Sequence, residues 1–366
     1  MQQHVVICGA GTMGGGIAIG CLSSGFRVTV IDAKDDALVR LRERVSAYQK
    51  RQIEKRRISE QDAAEQSAAL SLGRDLGLAG TADILIEAVF EELDVKRRLF
   101  RSLVKHLPAR AVVATNTSAL RVADLAPDLT DPTRFLGLHY FSPAEINPVV
   151  EVVSGPATSA ETLADALSFV QRTGKTALRC KDSPGFAVNR FFCPYTNEAV
   201  RILQEGIAEA GTIDAVACEI FDLPLGPFAV MNIIKPRINL HAVANLSVLG
   251  TFYAPARLLR ETGEADVNWA VRAPVAIPLD LKRQIADRLR GALYLPVLQA
   301  LGEGVATPQD FDLGARMALR FGQGPVAQMH ALGQERTRTL VSRLCSRDDA
   351  DFPEAGLGQV FAFHRL

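Results

Sequence analysis

The sequence predicts an α/β protein whose first half forms a doubly wound sheet and whose second half is all helical. Over the first 180 residues, near-continuous apolar runs alternate with helix-length segments, which is typical of parallel strands covered on both faces. A glycine-rich turn directly follows the first run, as in Rossmann-type sheets. After residue 183 helical periodicity replaces the strand-like runs, so we expect residues 1–182 to form one domain.

Six strands are predicted in this domain, one from each short apolar run. The runs lie at residues 4–8, 27–31, 84–89, 111–114, 135–139 and 149–153. A helix follows the last run, with Leu163, Ala166, Leu167 and Val170 on one face.

Residues 35–71 are too long for one crossover helix and are rich in Arg, Lys, Glu and Gln. The interruption at residues 58–60 predicts two antiparallel helices, a helical hairpin arm that projects from the sheet, with Ser59 capping the second helix. The arm is locally basic through Lys50, Arg51, Lys55, Arg56 and Arg57. Taken alone, such a stretch is more often a solvated helix face than a binding site.

The helical half contains an internal repeat. A shift of 98 residues aligns residues 203–206 with 301–304, Asp214 with Asp312, and Gly226-Pro227 with Gly324-Pro325. We therefore expect two tandem homologous helical units, at 183–250 and 284–366, joined by a connector at 251–283.

Composition excludes several classes of function. The chain carries 41 basic and 41 acidic residues, so it has no electrostatic signature of nucleic-acid or anionic-membrane binding. No run approaches 18 apolar residues, and the N-terminus lacks the basic residues of a secretory signal. Its six cysteines include no C-x-x-C pair, which indicates reduced thiols rather than disulfides or zinc ligands. We expect a cytoplasmic protein without a bound metal.

A dinucleotide site is predicted at the turn after the first run, formed by Gly9, Ala10, Gly11, Thr12, Met13 and Gly14. Gly9 permits the tight turn, Gly11 lets the backbone approach a pyrophosphate, and Gly14 allows close packing of helix on strand. Asp32 ends the second strand, where its carboxylate would bind the ribose 2′-hydroxyl and repel a 2′-phosphate. The cofactor is therefore predicted to be NAD, the alternative being a glycine turn without a ligand.

Candidate catalytic residues follow predicted strands, where open α/β sheets bind ligands. His139 ends one strand and Glu151 lies on the next, a pairing that suits a general base. Ser118 follows another strand and could equally be a helix cap. Asn189 begins the helical half and could equally serve packing. Each residue alone is ambiguous.

The order of these motifs resembles the 3-hydroxyacyl-CoA dehydrogenase family over nearly the whole chain. The similar segments are Gly9–Gly14, Ile86–Glu91 followed by Asp94–Lys96, Ala114–Ser118, Arg134–Pro143, Val149–Val153, Lys181–Arg190 and Gly226–Phe228.

The resemblance implies NAD-dependent oxidation of an (S)-3-hydroxyacyl-CoA, with His139 as base and Glu151 as the acid that orients it. It implies that Ser118 hydrogen-bonds the substrate's 3-oxygen and that Asn189 positions the substrate. Residues implied to contact the cofactor are Glu91, Lys96, Asn116, Ser118 and Ser142. The arm resembles the one over which the family lays CoA, which implies substrate contacts for Arg51, Lys55 and Arg57.

The chain departs from the family pattern in two places. Ser142 replaces the usual Asn three residues after the base. The chain also has the two helical units of multifunctional members without their hydratase segment, and Asp287 occupies the second-unit position of Asn189. Two alternative functions remain open: a dehydrogenase of free hydroxy acids on the same scaffold, and a non-catalytic NAD-binding subunit. Two units in one chain are compatible with a monomer or a homodimer.

Overall fold

The computed structural model describes residues 3–118, 120–274 and 276–362, and the chain divides into two compact units. The N-terminal unit is Met1–Asp182 and the C-terminal unit is Ser183–Leu366. The outermost domain limits predicted above, residues 1 and 366, lie outside the described residues. The predicted fold class is confirmed, because a mostly parallel Rossmann-type sheet with flanking helices is followed by an all-helical half.

The described residues form a sheet of eight strands: β1 His4–Cys8, β2 Arg27–Ile31, β3 Leu70–Gly73, β4 Ile84–Glu87, β5 Val112–Thr115, β6 Phe135–Tyr140, β7 Val149–Ser154 and β8 Thr176–Lys181. Their order in the sheet is β3-β2-β1-β4-β5-β6-β7-β8. All neighbouring strands run parallel except β6 and β7, which pair antiparallel.

All six predicted strands are present, and β3 and β8 are additional. The predicted strands are almost entirely buried, as continuous apolar runs require. In contrast, β3 is short and half-buried, and β8 alternates buried Leu178 and Cys180 with exposed Arg179 and Lys181. Both lie at the edges of the sheet, where one-sided burial removes the continuous apolar signal.

In the part of this unit that the structure describes, six α-helices accompany the sheet: α1 Thr12–Ser23, α2 Asp35–Glu54, α3 Glu60–Ala68, α4 Leu93–Leu103, α5 Val122–Leu125 and α6 Ala160–Arg172. The arm consists of α2 and α3, and Ser59 caps α3 as predicted. Its side chain accepts a hydrogen bond from the Asp62 backbone N–H, and Asp62 bonds back to the Ser59 backbone. The first half of α2 buries Leu38, Leu41 and Val45 in the core of the unit, which anchors the arm.

The C-terminal unit contains ten helices in its described residues. They are α7 Val188–Gln204, α8 Ala210–Phe221, α9 Pro227–Ile234, α10 Pro236–Asn245, α11 Arg257–Ala265, α12 Leu279–Gly302, α13 Pro308–Leu313, α14 Pro325–Leu332, α15 Gln334–Asp348 and α16 Glu354–Ala362. Among the described helices, none has the length and apolar character needed to cross a lipid bilayer.

The 98-residue shift superimposes the helices of this unit in order. It carries α9 onto α14, the C-terminal end of α7 onto that of α12, and α11 onto α16 to within a residue. We therefore propose that repeat 1 comprises α7–α11 and repeat 2 comprises α12–α16. On this basis repeat 1 extends past the predicted limit at residue 250, because α11 lies in the segment that the sequence suggested was a connector.

The repeated Asp and Gly-Pro residues form the same contact twice. Asp214 accepts hydrogen bonds from the backbone N–H groups of Phe228 and Ala229 at the start of α9. Asp312 does the same for Val326 and Ala327 at the start of α14. These are N–H groups that a helix leaves without internal partners. The contact stabilises the first turn of each helix.

Glycine is required at both positions by close approach of the backbone. A Cβ atom at Gly226 would overlap the Cα of Asp214, and one at Gly324 would overlap the Cα of Asp312. We predict that Gly226→Ala and Gly324→Ala each lower the free energy of unfolding by about 1–3 kcal/mol, because backbone cannot yield as a side chain can. Urea denaturation measures this.

The matched control is Gly358→Ala in α16, where an added Cβ meets nothing within 4 Å. Because alanine favours a helix over glycine by about 0.5–1 kcal/mol, this variant should be unchanged or more stable. Equal effects of all three substitutions would contradict the packing explanation.

Candidate functional site

The glycine turn after β1 has the geometry of a dinucleotide loop. Gly9 has φ +112°, and a Cβ there would overlap the carbonyl of Ala88 at the end of the neighbouring β4. A Cβ at Gly14 would overlap the carbonyl of Gly9, so the helix packs directly on the turn. By contrast, a Cβ at Gly11 meets nothing within 4 Å, and Gly11 and Thr12 are exposed at the start of α1. This open helix N-terminus fits the pyrophosphate of NAD.

Asp32 lies beside this turn at the end of β2. One carboxylate oxygen accepts the backbone N–H of Ala10 at 2.7 Å, and the other accepts that of Lys34 at 2.9 Å. The carboxylate therefore fixes the loop and keeps lone pairs available for a ribose hydroxyl. Met13 is half-buried against the core of the unit.

A fully buried ion pair lies at the end of β4. The Lys96 ammonium donates to both carboxylate oxygens of Glu87, at 2.7 and 2.9 Å, and both side chains are 0% exposed. Glu87 also accepts the hydroxyl of Thr115 and the backbone N–H of Val89. Such saturation with donors is what a buried carboxylate needs.

Lys96 also pairs with Glu91, at 3.1 Å, and so connects the buried pair to the surface of the unit. Glu91 accepts the Thr117 hydroxyl at 2.5 Å and the Ser118 backbone N–H at 2.8 Å. Although burial alone raises the pKa of the Glu91 carboxyl, the Lys96 charge and these hydrogen bonds outweigh it and hold that pKa below its ordinary value. Glu91 is thus an anion that orders the loop carrying Ser118.

His139 and Glu151 face each other across β6 and β7, where they are direct partners in the antiparallel register. The imidazole Nδ1 lies 2.6 Å from a Glu151 carboxylate oxygen, with Glu151 fully buried and the histidine side chain 7% exposed. The Phe141 ring lies 4.6 Å from the imidazole. Because the carboxylate binds a proton on Nδ1, the neutral ring carries its lone pair on Nε2. This arrangement suits proton transfer at Nε2.

Two further predicted residues lie in the loops that follow β5 and β6. The Asn116 side-chain oxygen accepts the backbone N–H of Tyr140, which ties the loop after β5 to the end of β6. Ser142 is exposed in the turn that follows β6. The first compact unit therefore carries its predicted cofactor and proton-transfer residues at the carboxyl ends of β1, β2, β4, β5 and β6.

The remaining predicted residues lie elsewhere in the fold. Arg51, Lys55 and Arg57 are exposed at the end of the arm, and none of them forms an ion pair with the described residues. Asn189 is half-buried in the first turn of α7, in the C-terminal unit.

No role was predicted from the sequence for Glu87, Thr115 or Thr117. For Glu87 a signal was nevertheless present, because this glutamate ends an otherwise apolar buried strand and a lysine follows nine residues later. A charge in that position needs a buried partner.

The fold and these contacts define a class, an NAD-binding α/β protein whose sheet holds a buried histidine paired with a glutamate. Comparison with known families agrees with this assignment. Residues 4–183 match the 3-hydroxyacyl-CoA dehydrogenase NAD binding domain, and residues 185–268 match the C-terminal domain of the same family. The chain therefore belongs to the 3-hydroxyacyl-CoA dehydrogenase family of NAD-dependent oxidoreductases, and its cofactor is NAD. The predicted resemblance is confirmed.

Individual relatives agree with this assignment. A 3-hydroxyadipyl-CoA dehydrogenase of Escherichia coli is 34% identical over a match that covers 70% of this chain. The same match covers only 54% of that protein's length. A probable 3-hydroxybutyryl-CoA dehydrogenase of Bacillus subtilis is 32% identical over 71% of this chain and 91% of its own. A solved 3-hydroxybutyryl-CoA dehydrogenase of E. coli shares the fold with a TM-score of 0.86, at 24% identity over 96% of both chains.

We predict that Lys96→Met lowers the free energy of unfolding by about 3–5 kcal/mol, because Glu87 becomes an unpaired buried charge. The double variant Glu87→Gln/Lys96→Met should lose clearly less, since a neutral amide needs no counter-charge. Urea denaturation compares the two proteins. A double variant as unstable as the single one would contradict this explanation.

Proposed function

We propose that the chain catalyses the reversible, NAD-dependent oxidation of an (S)-3-hydroxyacyl-CoA to the 3-oxoacyl-CoA. The observation that carries this proposal is the 2.6 Å contact between His139 and Glu151 in a member of this family. The family model supplies the cofactor class, and the names of the relatives supply the substrate class.

In the proposed reaction, Nε2 of His139 removes the proton of the substrate's 3-hydroxyl group. The glycine turn and Asp32 would hold NAD, which would supply the acceptor for the hydride that leaves C3. The imidazole then carries a positive charge, and the fully buried Glu151 carboxylate stabilises it at short range in a low-dielectric environment. In the reverse direction the imidazolium returns the proton to the 3-oxygen.

Ser118 and Asn189 are proposed to hydrogen-bond the substrate and align its 3-oxygen. Glu91 supports this role for Ser118 because it accepts the backbone N–H of that residue. The Lys96 ammonium has three protons, and its contacts with Glu87 and Glu91 can occupy all of them. We therefore propose that Lys96 affects the cofactor by orienting Glu91 rather than by direct contact.

The proposed cofactor contacts are those at the carboxyl edge of the sheet. Gly9, Gly11, Thr12, Met13 and Gly14 would hold the pyrophosphate and Asp32 the ribose. Glu91, Asn116, Ser118 and Ser142 would lie toward the nicotinamide, where the Ser142 hydroxyl can donate or accept in place of an asparagine amide.

We predict that His139→Ala lowers kcat by about 10²–10⁴-fold, the usual contribution of a positioned general base. NADH formation from (S)-3-hydroxybutyryl-CoA, followed by absorbance, measures this. The control is His106→Ala, because His106 is an exposed histidine outside the site. Similar turnover of the two variants, both folded by circular dichroism, would refute the role of His139.

The exposed cations of the arm are proposed to bind the phosphates of CoA. We predict that replacing Arg51, Lys55 and Arg57 together by Gln raises KM for the acyl-CoA and leaves KM for the matching acyl-pantetheine nearly unchanged. The reason is that only the former substrate carries the 3′-phosphate and pyrophosphate.

A matched triple variant, with Gln at Arg98, Lys105 and Arg110, removes the same charge from exposed positions outside the arm. It should change neither KM. Equal rises for both substrates would assign the arm a structural role, and full activity on free hydroxy acids would favour the rival dehydrogenase.

A further inference from the structure

The two helical repeats exchange ion pairs reciprocally. Arg190 in repeat 1 pairs with Glu303 of repeat 2 at 2.5 Å. The 98-residue shift converts these residues into Arg288 and Glu205, and these also pair with each other. Reciprocal contacts of this kind are the mark of an interface with two-fold symmetry. Repeats 1 and 2 therefore pack as two halves of a pseudo-dimer within one chain.

The two symmetry-related arginines differ in what else they hold. Arg190 is 1% exposed and donates to the Tyr253 hydroxyl at 3.2 Å and to the Ser183 hydroxyl at 3.1 Å. Arg288 instead pairs with Glu198, which also binds Arg347. The surroundings of the Arg190 pair are thus specific to one side of the pseudo-dimer.

Arg190 also fixes the start of α7. Its backbone N–H donates to Gly185, which has φ +76° and leaves no room for a Cβ beside the Arg190 backbone. The next residue, Phe186, is fully buried with φ +50°, a conformation that non-glycine residues seldom adopt. Side chain and backbone of Arg190 together hold this turn against α7. Asn189 is the residue immediately before Arg190.

We propose that Glu303 of repeat 2 is a positioning residue for the reaction, acting through Arg190 to hold Asn189 in place. This inference rests on the proposed function, because it takes Asn189 as the residue that aligns the substrate. A guanidinium held from three directions cannot rotate or shift without breaking charged hydrogen bonds. Because Asn189 directly precedes Arg190 in the chain, its backbone is held in place with that residue. Repeat 2 therefore contributes to catalysis through Glu303, although it has Asp287 at the position equivalent to Asn189.

The equivalent pair, Arg288 and Glu205, has no such role. Asp287 lies next to Arg288, where the shift would place Asn189, and its carboxylate is engaged by Arg336 and Arg343. The molecule thus contains its own control, an ion pair of the same chemistry in the same pseudo-symmetric place, adjacent to no proposed substrate residue. Glu303 and Glu205 are also exposed to a similar extent, 47% and 44%.

The test compares Glu303→Gln with Glu205→Gln in the full chain. Reduction of acetoacetyl-CoA by NADH gives kcat and both KM values, and differential scanning fluorimetry gives Tm. We expect Glu303→Gln to lower kcat about 10-fold, since small displacements of a positioning group reduce rate strongly. KM for NADH should stay unchanged. Glu205→Gln should keep kcat within about 2-fold of wild type, with a Tm no higher than that of Glu303→Gln.

A milder variant covers the case in which Glu303→Gln does not fold. Tyr253→Phe removes the hydroxyl that accepts from Arg190 and keeps the buried ring. It should lower kcat by about 3-fold on the same reasoning. Equal kcat for the Glu303→Gln and Glu205→Gln variants would overturn this inference. If only Tyr253→Phe folds, an unchanged kcat in that variant would overturn it as well. In both cases turnover by the wild-type protein would leave the proposed function standing. A wild-type protein that binds NADH but reduces no 3-oxoacyl-CoA would overturn both.

Discussion

The proposed chemistry of this chain depends on one contact, the hydrogen bond between the imidazole of His139 and the carboxylate of Glu151. The antiparallel pairing of β6 and β7 produces it, because that register sets the two residues directly opposite each other. In an otherwise parallel sheet, this one reversal lets a base and its orienting acid come from consecutive strands. Burial on both faces keeps water away from the carboxylate and so strengthens its hold on the imidazole proton.

A second buried polar group supports the neighbouring strands. Glu87 and Lys96 neutralise each other in the interior, and the same ammonium orders Glu91, which in turn holds the loop of Thr117 and Ser118. The substrate and cofactor residues proposed at this edge are thus held by charged hydrogen bonds rather than by loop packing alone. The free-energy cost of burying these charges is offset because each oxygen of the Glu87 carboxylate and each proton of the Lys96 ammonium has a partner. These charged hydrogen bonds also fix the geometry of the neighbouring residues.

Much of this organisation could be predicted from the sequence, because its signals are local. Continuous apolar runs identify the covered strands, and the spacing of Gly9, Gly14 and Asp32 identifies the nucleotide edge. The features that could not be predicted depend on where a segment lies in the folded chain. Strands β3 and β8 lack a continuous apolar run because each has one neighbour only, and α11 was overlooked in a proline-containing segment. The pairing of Arg190 with Glu303 across 113 positions becomes visible only in the folded chain.

The most direct test of the central contact is the tautomer of His139. In a chain labelled with ¹⁵N-histidine, long-range ¹H–¹⁵N correlation spectra report which ring nitrogen carries the proton, and the spectrum of His139→Gln assigns the signal. We predict that the neutral ring is protonated on Nδ1, with Nε2 unprotonated, and that Glu151→Gln disturbs this state. A ring protonated on Nε2, or a spectrum that does not change when the Glu151 charge is lost, would contradict the proposed role of this contact.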